Sequence, residues 1–313
     1  MRNYLVFDAG GTFIKYALMD ENAQILEKDK VSTPYFEDHG KEDFYRVLGK
    51  VVEKYREQIR GIAMSMPGML NSRTGYCRTA GYLAYLAGTN VAQELSQRFG
   101  LPAVIENDGK CAALAEFWRG SLKGCKNGAV MVLGTGVAGG IILNGSLYRG
   151  THFTAGEYSY MVHDPKRKFE MDGYWGMAGG AQGLAKAVAR QTGEDWNTLD
   201  GYTIFARANQ GDEKAIAGIR AFADELSAQI YNLNVLLDLE VIAIGGGISR
   251  QPLLLKSIEE SVEKLVRENP LKQITPYVPE PKLVNCTFYN EANLIGALYH
   301  YMKMTDGDRL TRV

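Results

Sequence analysis

The chain has 313 residues, of which 46% are hydrophobic and 23% charged, and its formal net charge is −1. These values are typical of a globular protein with a large buried core, and the length predicts two domains of roughly 150 residues each. The near-neutral charge gives no electrostatic basis for binding nucleic acid or an anionic membrane surface, and no apolar run is long enough to span a bilayer.

The four cysteines are scattered along the chain, without a Cys-x-x-Cys pair. This pattern argues against a disulfide framework or a zinc knuckle and favours a reducing compartment. The first apolar run ends at Asp8, which makes it far too short for a signal peptide. We therefore expect a cytoplasmic protein.

The N-terminal third predicts a β-meander, a helix and further strands. Apolar and periodic segments indicate strands at Tyr4–Phe7, Ile14–Met19, Ala23–Val31, Gly61–Met66 and Ala103–Ile105, and helices at Asp43–Tyr55 and Val91–Phe99. Gly100 and Pro102 give the second helix the usual C-terminal signals. Asn107 and Asp108 then precede a helix-prone run, "KCAALAEFWRG".

The opening pattern returns about 125 residues later. "AVMVLGTGVAGGIIL", Ala129 to Leu143, is again an apolar strand, a glycine-threonine turn and an apolar strand, as in "YLVFDAGGTFIKYAL" from Tyr4. Such a repeat predicts a duplicated meander-plus-helix unit. We expect a smaller N-terminal α/β domain, residues 1–115, and a larger one, residues 116–291, with a final helix, residues 292–303, packing back on the first.

Three glycine-rich turns are candidates for phosphate binding. They contain Gly10, Gly11 and Thr12, then Gly134, Thr135 and Gly136, and finally Gly245, Gly246 and Gly247 in "VIAIGGGIS". Glycine permits positive φ and close approach to backbone N–H groups, which can cradle an anion. Asp8 is suited to holding hydrated Mg²⁺ beside a phosphate. Any one turn could be an ordinary hairpin, but three turns with related chemistry favour nucleotide binding.

Two common nucleotide motifs do not fit this chain. "GTGVAGG" matches the G-x-G-x-x-G spacing, but the dinucleotide fingerprint needs a helix to start there, and an apolar strand follows instead. A G-x-x-x-x-G-K-[ST] phosphate loop is also absent from the sequence.

Asp108 is the candidate for catalysis, because a carboxylate at this strand-to-helix junction could accept the proton of a substrate hydroxyl while Asn107 orients the substrate. The alternative is that Asn107 or Asp108 merely caps the helix. Glu157 could bind polyol hydroxyls or lie on the surface. The four histidines, His39, His152, His163 and His300, show no metal-ligand spacing.

With these residues in view, the chain resembles the ROK family of sugar kinases and repressors, which has the duplicated actin-like (ribonuclease H-like) ATPase fold with two domains around a central cleft. The resemblance covers nearly the whole chain. The matching segments are, in order, "FDAGGTFIKYAL", "SMPG", "ENDGKCAALAE", "LGTGVAGGIILNGSLYRG", "AGE" and "IAIGGGIS".

The resemblance implies ATP and Mg²⁺ as cofactors and transfer of the γ-phosphoryl group to a sugar hydroxyl, with Asp108 as the base. The implied nucleotide-site residues are Asp8, Gly10, Gly11, Thr12, Lys15, Gly134, Thr135, Gly136, Gly245, Gly246 and Gly247. The implied sugar-site residues are Gly68, Asn107, Asp108, Glu157 and Tyr160. The expected acceptor is the 6-hydroxyl of a hexose, an N-acetylhexosamine or a glucoside, and the family often forms homodimers.

The sequence departs from the family pattern in its zinc motif. Tyr160 replaces the usual histidine, and "MVHDPKRKFEMDGYWGMAGGAQGL" contains no cysteine of the family's C-x-C-G-x-x-G-C cluster. Structural zinc needs about four Cys or His ligands, so we expect no zinc site. Tyr158, Tyr160, Tyr174 and Trp175 could then wall a bulkier sugar or simply fill the core. Phe13 and Lys110 also replace residues common in the family.

Two other functions remain to be weighed against the kinase. A sugar-responsive repressor of this family carries a helix-turn-helix ahead of the first glycine turn, and only seven residues precede Asp8 here. A catalytically silent sugar-binding protein would be favoured by loss of Asp108 or of the glycine turns, and all of these are retained. We therefore expect a kinase.

Overall fold

The computed structural model describes residues 2–35, 40–277 and 279–305, so His39 lies outside the described residues. The chain divides into two compact units. Unit 1 comprises Met1–Arg119, Leu147–Ala155 and Asn290–Val313, and unit 2 comprises Gly120–Ser146 and Gly156–Tyr289. This division starts unit 2 at Gly120 rather than at residue 116, and it assigns the short segment Leu147–Ala155 to unit 1.

Unit 1 is built on a five-stranded sheet of β1 (Asn3–Ala9), β2 (Phe13–Asp20), β3 (Ile25–Ser32), β4 (Ile59–Met66) and β8 (Ala103–Asn107), in the order β3-β2-β1-β4-β8. β1 is antiparallel to β2 and parallel to β4, which is parallel to β8. β1 and β4 are buried along almost their whole length, as expected for central strands of a covered sheet. The carboxyl ends of β1, β4 and β8 therefore lie at one sheet edge.

A small three-stranded sheet and four helices complete unit 1. The small strands are β5 (Leu70–Asn71), β6 (Tyr76–Cys77) and β7 (Thr89–Asn90), and the helices are α1 (Lys41–Tyr55), α2 (Val91–Phe99), α3 (Asp108–Arg119) and α9 (Ala292–Thr305). The α2 bounds agree with the prediction, because the Asn90 side chain caps its first turn and Gly100 ends it at φ 64°.

The helices α3 and α9 pack backbone against backbone. A Cβ at Gly296 would lie 1.8 Å from the carbonyl oxygen of Cys111, so only glycine allows this approach. The final helix thus belongs to unit 1.

Unit 2 repeats the sheet of unit 1. The strands of this sheet are β9 (Gly128–Leu133), β10 (Val137–Leu143), β11 (Ser146–Tyr148), β12 (Val241–Gly245) and β13 (Lys282–Asn285), in the order β11-β10-β9-β12-β13. The boundary between the units falls within β11, after Ser146. β9 is antiparallel to β10 and parallel to β12, which is parallel to β13. The strand order and directions match those of unit 1, which confirms the predicted duplicated α/β fold.

The α-helices of the described part of unit 2 are α4 (Trp175–Ala178), α5 (Ala181–Thr192), α6 (Gly201–Asn209), α7 (Glu213–Leu237) and α8 (Pro252–Arg267). Their apolar faces and the strands form one continuous hydrophobic core. Among the described residues, no helix is both long and apolar enough to cross a membrane.

Candidate active site

Asp8 lies near the end of β1, and its side chain has three neighbours within unit 1. Its Oδ1 accepts hydrogen bonds from Ser65 Oγ at 3.1 Å and Asn293 Nδ2 at 3.0 Å. Its Oδ2 lies 3.7 Å from the Nζ of Lys15 on β2. The two hydrogen bonds to Oδ1 fix the orientation of the carboxylate.

The turn between β1 and β2 is held by the backbone around it. Gly10 N–H donates to Phe13 O at 3.1 Å, and Thr33 Oγ1 donates to Gly10 O at 2.7 Å. Neither Gly10 nor Gly11 has a positive φ, so the expected use of left-handed backbone does not apply here. A Cβ on Gly11 would lie 3.1 Å from the ring of Tyr82. The turn and the adjacent hydroxyl of Thr12 remain at least partly exposed.

Asn107 and Asp108 lie where β8 passes into α3, at the same sheet edge as Asp8. Asn107 is the cap, because its Oδ1 accepts the Lys110 N–H at 3.1 Å. Its Nδ2 donates to Gly68 O at 3.1 Å, which ties β8 to the turn after β4. Asp108 is the first residue of α3 and is partly exposed. Asp108 Oδ1 also accepts the Gly109 N–H at 2.8 Å, so both side chains bind backbone N–H groups at the start of α3.

Gly68 has a structural reason to be glycine. Its φ is +107°, and a Cβ there would lie 2.0 Å from the carbonyl oxygen of Thr79. Any other residue would therefore be strained and would displace the hairpin that follows. The carbonyl group of Gly68 is the part that faces Asn107.

A buried charge cluster lies directly before this strand end, and no local sequence pattern marks it. Glu106, directly before Asn107, accepts hydrogen bonds from Arg149 Nε at 2.9 Å and from the Asn107 N–H at 2.9 Å. The Arg149 Nη2 lies 2.7 Å from Glu106 Oε2 and 3.3 Å from His300 Nδ1. Because a guanidinium only donates, the neutral His300 ring accepts at Nδ1.

The pKa values of this cluster follow from burial and charge. Burial alone would raise the pKa of Glu106, but the His300 ring when it is protonated, the Arg149 guanidinium and the Asn107 N–H lower it. Burial lowers the pKa of His300, because the charged ring is poorly solvated there, although Glu106 opposes this effect. Glu106 and Arg149 therefore form a buried ion pair beside a neutral histidine.

In unit 2, the turn between β9 and β10 packs against the start of α5. The Ala181 N–H donates to Gly134 O at 2.8 Å. A Cβ at Gly136 would lie 2.6 Å from the carbonyl oxygen of Gly176, whereas one at Gly134 would have only Gly136 O nearby, at 3.9 Å. Gly134 and Thr135 are exposed. Packing against Gly176 thus requires a glycine at position 136, whereas the space beside the Gly134 backbone is open.

The turn after β12 has a similar division of roles. Gly246 has φ +95°, and a Cβ there would lie 2.2 Å from Leu133 O, so this position needs glycine for packing. A Cβ at Gly247 would have nothing within 4 Å. Gly245 is buried at the end of its strand.

A cavity of about 270 Å³ lies between these two glycine turns within unit 2. Its lining includes Leu133, Gly134, Tyr202, Phe205, Gly247 and Gln251. It joins the two open glycine positions to apolar and aromatic side chains, a combination suited to a base and sugar followed by phosphates. The α6 residues in this lining were not identified from the sequence, because nothing local marks them.

The segment after the second meander places Glu157 directly before a short 3₁₀ helix, Tyr158–Tyr160. Tyr160 is 64% exposed, so its phenol is accessible. Tyr158 and Trp175 are both buried and pack against each other at 5.9 Å between ring centroids. These two aromatics fill the core, and the idea that they wall a sugar is wrong for them.

The cysteine-free segment of unit 2 is held by ion pairs. Asp172 lies 2.8 Å from Lys186 Nζ on α5, and Arg167 lies 2.8 Å from Glu170. Within residues 2–35, 40–277 and 279–305, no group of three or more His, Cys, Asp or Glu side chains is arranged to hold a metal ion.

The predicted residues thus gather in two sets. In unit 1, Asp8, the first glycine turn, Gly68, Asn107 and Asp108 share the carboxyl-end edge of three parallel strands. In unit 2, the second and third glycine turns border one cavity. The first set offers a carboxylate beside hydrogen-bonding groups, and the second offers exposed backbone beside an apolar pocket.

Comparison with known proteins agrees with this geometry. The ROK family model matches residues 4–303. A β-glucoside kinase of Listeria monocytogenes is 30% identical over 300 residues, covering 95% of this chain and 96% of that protein.

Two solved structures are similar over nearly the whole chain. A ROK family protein from Streptococcus pneumoniae in complex with sucrose has a TM-score of 0.83 at 30% identity, covering 97% of this chain and 99% of that one. A ROK family glucokinase from Streptomyces griseus with glucose and AMPPNP has a TM-score of 0.78 at 25% identity, covering 95% and 98%. The fold is therefore the actin-like fold of these kinases, and the chain belongs to the ROK family.

Proposed function

We infer that this protein is an ATP-dependent sugar kinase that transfers the γ-phosphoryl group of ATP to a hydroxyl of a hexose, an N-acetylhexosamine or a glucoside, with the 6-hydroxyl as acceptor. The observation that carries the inference is the edge of unit 1. There Asp108, at the start of α3, lies beside the capping amide Asn107 and on the same sheet edge as Asp8 and the first glycine turn.

Asp108 supplies the base in this proposal. Its carboxylate accepts the proton of the acceptor hydroxyl as that oxygen bonds to the γ-phosphorus, and the bond from phosphorus to the β–γ bridging oxygen breaks to release ADP. Asp108 is the first residue of α3 and its side chain is partly exposed, so a substrate hydroxyl can reach it. Asn107, Gly68, Glu157 and Tyr160 are proposed to contact the sugar.

The glycine turns supply the nucleotide site. Exposed backbone at Gly134 and Thr135, with Gly10, Gly11 and Thr12 in unit 1, is proposed to bind phosphate oxygens. The cavity bordered by Gly134 and Gly247 is proposed to hold the adenosine. Gly247 lines this cavity, and a Cβ there would have no protein atom within 4 Å, so the space beside its backbone is open to a ligand.

Mg²⁺ is implied by the reaction, and Asp8 fits it. Magnesium retains several waters and is bound by one or two carboxylates together with substrate phosphates. Oδ1 of Asp8 already accepts two protein donors, which leaves Oδ2 to accept from a metal-bound water. The ion would neutralise charge on the transferred phosphoryl group. Lys15, 3.7 Å from Oδ2, is proposed to contact a phosphate oxygen when ATP binds.

The central test is Asp108→Asn. Loss of the base should lower kcat by at least about 10²-fold, while sugar affinity changes much less because the amide still forms hydrogen bonds. Turnover would be followed by coupled ADP release, and sugar binding by calorimetry. Asp164→Asn, an acid that caps a short 3₁₀ helix in unit 2, serves as the control. Near-normal turnover of Asp108→Asn would remove this residue from catalysis.

A further inference from the structure

A cavity of about 140 Å³ lies in unit 1, beside the hairpin that directly follows Gly68. Its lining includes Met69, Tyr76, Arg78, Thr151, His152 and Phe153, and no carboxylate contributes to it. Drug-sized ligands occupy pockets of roughly 300–1,000 Å³. A space of this size therefore suits a single ring.

The first wall of the cavity is the hairpin of β5 and β6. It begins at Met69, directly after Gly68, whose carbonyl accepts from the Asn107 side chain at 3.1 Å. The Arg78 N–H donates to Met69 O at 2.9 Å, which closes the hairpin base. Tyr76 stands opposite Asn71 and is 42% exposed. This wall is thus tied to the residue next to Asp108.

The second wall is the segment Leu147–Ala155, which Arg149 anchors. Besides its ion pair with Glu106, Arg149 donates to Ser72 Oγ at 3.0 Å, and the Ala155 N–H donates to Arg149 O at 3.2 Å. Glu106 directly precedes Asn107. Both walls are therefore fixed to the end of β8, and their positions relative to Asp108 are set by protein contacts.

Phe153 is held in an uncommon conformation in this second wall. Its φ is +62°, a strained region that aromatic residues rarely adopt. The Arg73 guanidinium lies 5.9 Å from its ring centroid, within the range of a cation–π contact. Strain of this kind is concentrated at ligand sites, where the surrounding structure fixes a side chain for binding.

We propose that this cavity binds the second ring of a glycoside substrate, that is, the sugar or aryl group attached at the anomeric carbon of the phosphorylated glucose unit. The inference rests on the proposed kinase function. Two aromatic side chains offer faces for a ring, and the Arg78 guanidinium, the Thr151 hydroxyl and the His152 imidazole offer hydrogen bonds to hydroxyls. Because the described lining contains Arg78 and no carboxylate, a cationic occupant is disfavoured.

The proposal separates two parts of the substrate. The first ring presents its acceptor hydroxyl to Asp108. The substituent is attached at a different atom of that ring, the anomeric carbon, and extends into the cavity. Free glucose has no such substituent and leaves the cavity to water. Changes in the cavity should therefore act on glycosides and spare glucose.

The test compares glucose, cellobiose and phenyl β-glucoside as substrates of the whole protein. Thr151→Trp fills the cavity and Tyr76→Ala removes an aromatic face, and each should lower kcat/KM for both glucosides by about tenfold. Kinetics with glucose should not change. Thr275→Trp and Tyr277→Ala, two exposed positions in unit 2, are the matched controls. Melting curves confirm that every variant is folded.

The possible outcomes are distinct. If kcat/KM falls for cellobiose alone, the cavity binds a sugar ring. If it falls for both cellobiose and phenyl β-glucoside, the cavity accepts a sugar ring or an aryl ring. Equal loss with glucose and the glucosides, or no loss in either variant, overturns the subsite while leaving the kinase in place. Phosphorylation of glucose without any turnover of glucosides also overturns it. Failure to phosphorylate any sugar would instead reject the proposed function, and the subsite with it.

Discussion

Replacing Arg149 by methionine should destabilise the protein strongly, because it leaves Glu106 buried without its main cationic partner. Glu106 is 1% exposed and Arg149 21% at their side chains, and the two approach within 2.7 Å. Removing one member of a buried ion pair costs about 3–5 kcal/mol. At about 2–4 °C per kcal/mol for a domain of this size, the melting temperature should fall by roughly 6–20 °C.

The difference in melting temperature between wild type and Arg149→Met should also depend on pH. The wild-type pKa of Glu106 is lowered in the folded protein, so its stabilising contribution exists above the unfolded value of about 4.3 and is lost as pH falls through the folded value. The pKa of His300 is lowered by burial, so the wild type also loses stability as pH falls through about 6.5. Without Arg149, burial should raise the pKa of Glu106, and the variant takes up a proton on folding. The two melting temperatures should therefore converge from pH 8 to pH 5.

Two further variants complete this experiment, with thermal melting followed by circular dichroism. Arg149→Met combined with Glu106→Gln removes both charges and keeps the bond from the Asn107 N–H, so it should recover most of the lost stability. Arg46→Met breaks only an exposed pair with Asp43 and should cost less than about 1 kcal/mol. A single variant that melts within about 2 °C of wild type, or a double variant no better than the single, would refute the reasoning.

The glycine turns and the metal content give two more predictions. Gly134→Ala should keep its melting temperature but lose on the order of 10²-fold in kcat/KM for ATP, since its Cβ meets no close protein atom and would misplace the phosphates. Gly136→Ala should instead unfold at lower temperature, because its Cβ would lie 2.6 Å from Gly176 O. Unchanged ATP kinetics in Gly134→Ala would show that the turn between β9 and β10 is an ordinary hairpin. Elemental analysis should find no stoichiometric zinc, because His163 is the only Cys or His between Glu157 and Leu184, and one zinc per chain would contradict this.

The sequence by itself determined the repeated meander and the positions of the three glycine turns that are proposed to bind phosphate. These are local features: strand burial follows from continuous apolar runs, and turns follow from glycine, so both copies could be recognised before any contact was known. The end of α2 at Gly100 and the helix following Asn107 were predictable for the same reason. Family membership followed from the order of these local motifs.

The tertiary structure decided everything that depends on distant partners. Glu106 and Arg149 are separated by 43 residues along the chain, and Arg149 and His300 by 151, so no local pattern could reveal their cluster. Gly136 could not be distinguished from Gly134 by sequence, since only packing against Gly176 makes a side chain impossible at one and tolerable at the other. Burial likewise assigned Tyr158 and Trp175 to the core. Sequence fixes conformational preference residue by residue, whereas electrostatic partners and excluded volume exist only after the chain has brought remote residues together.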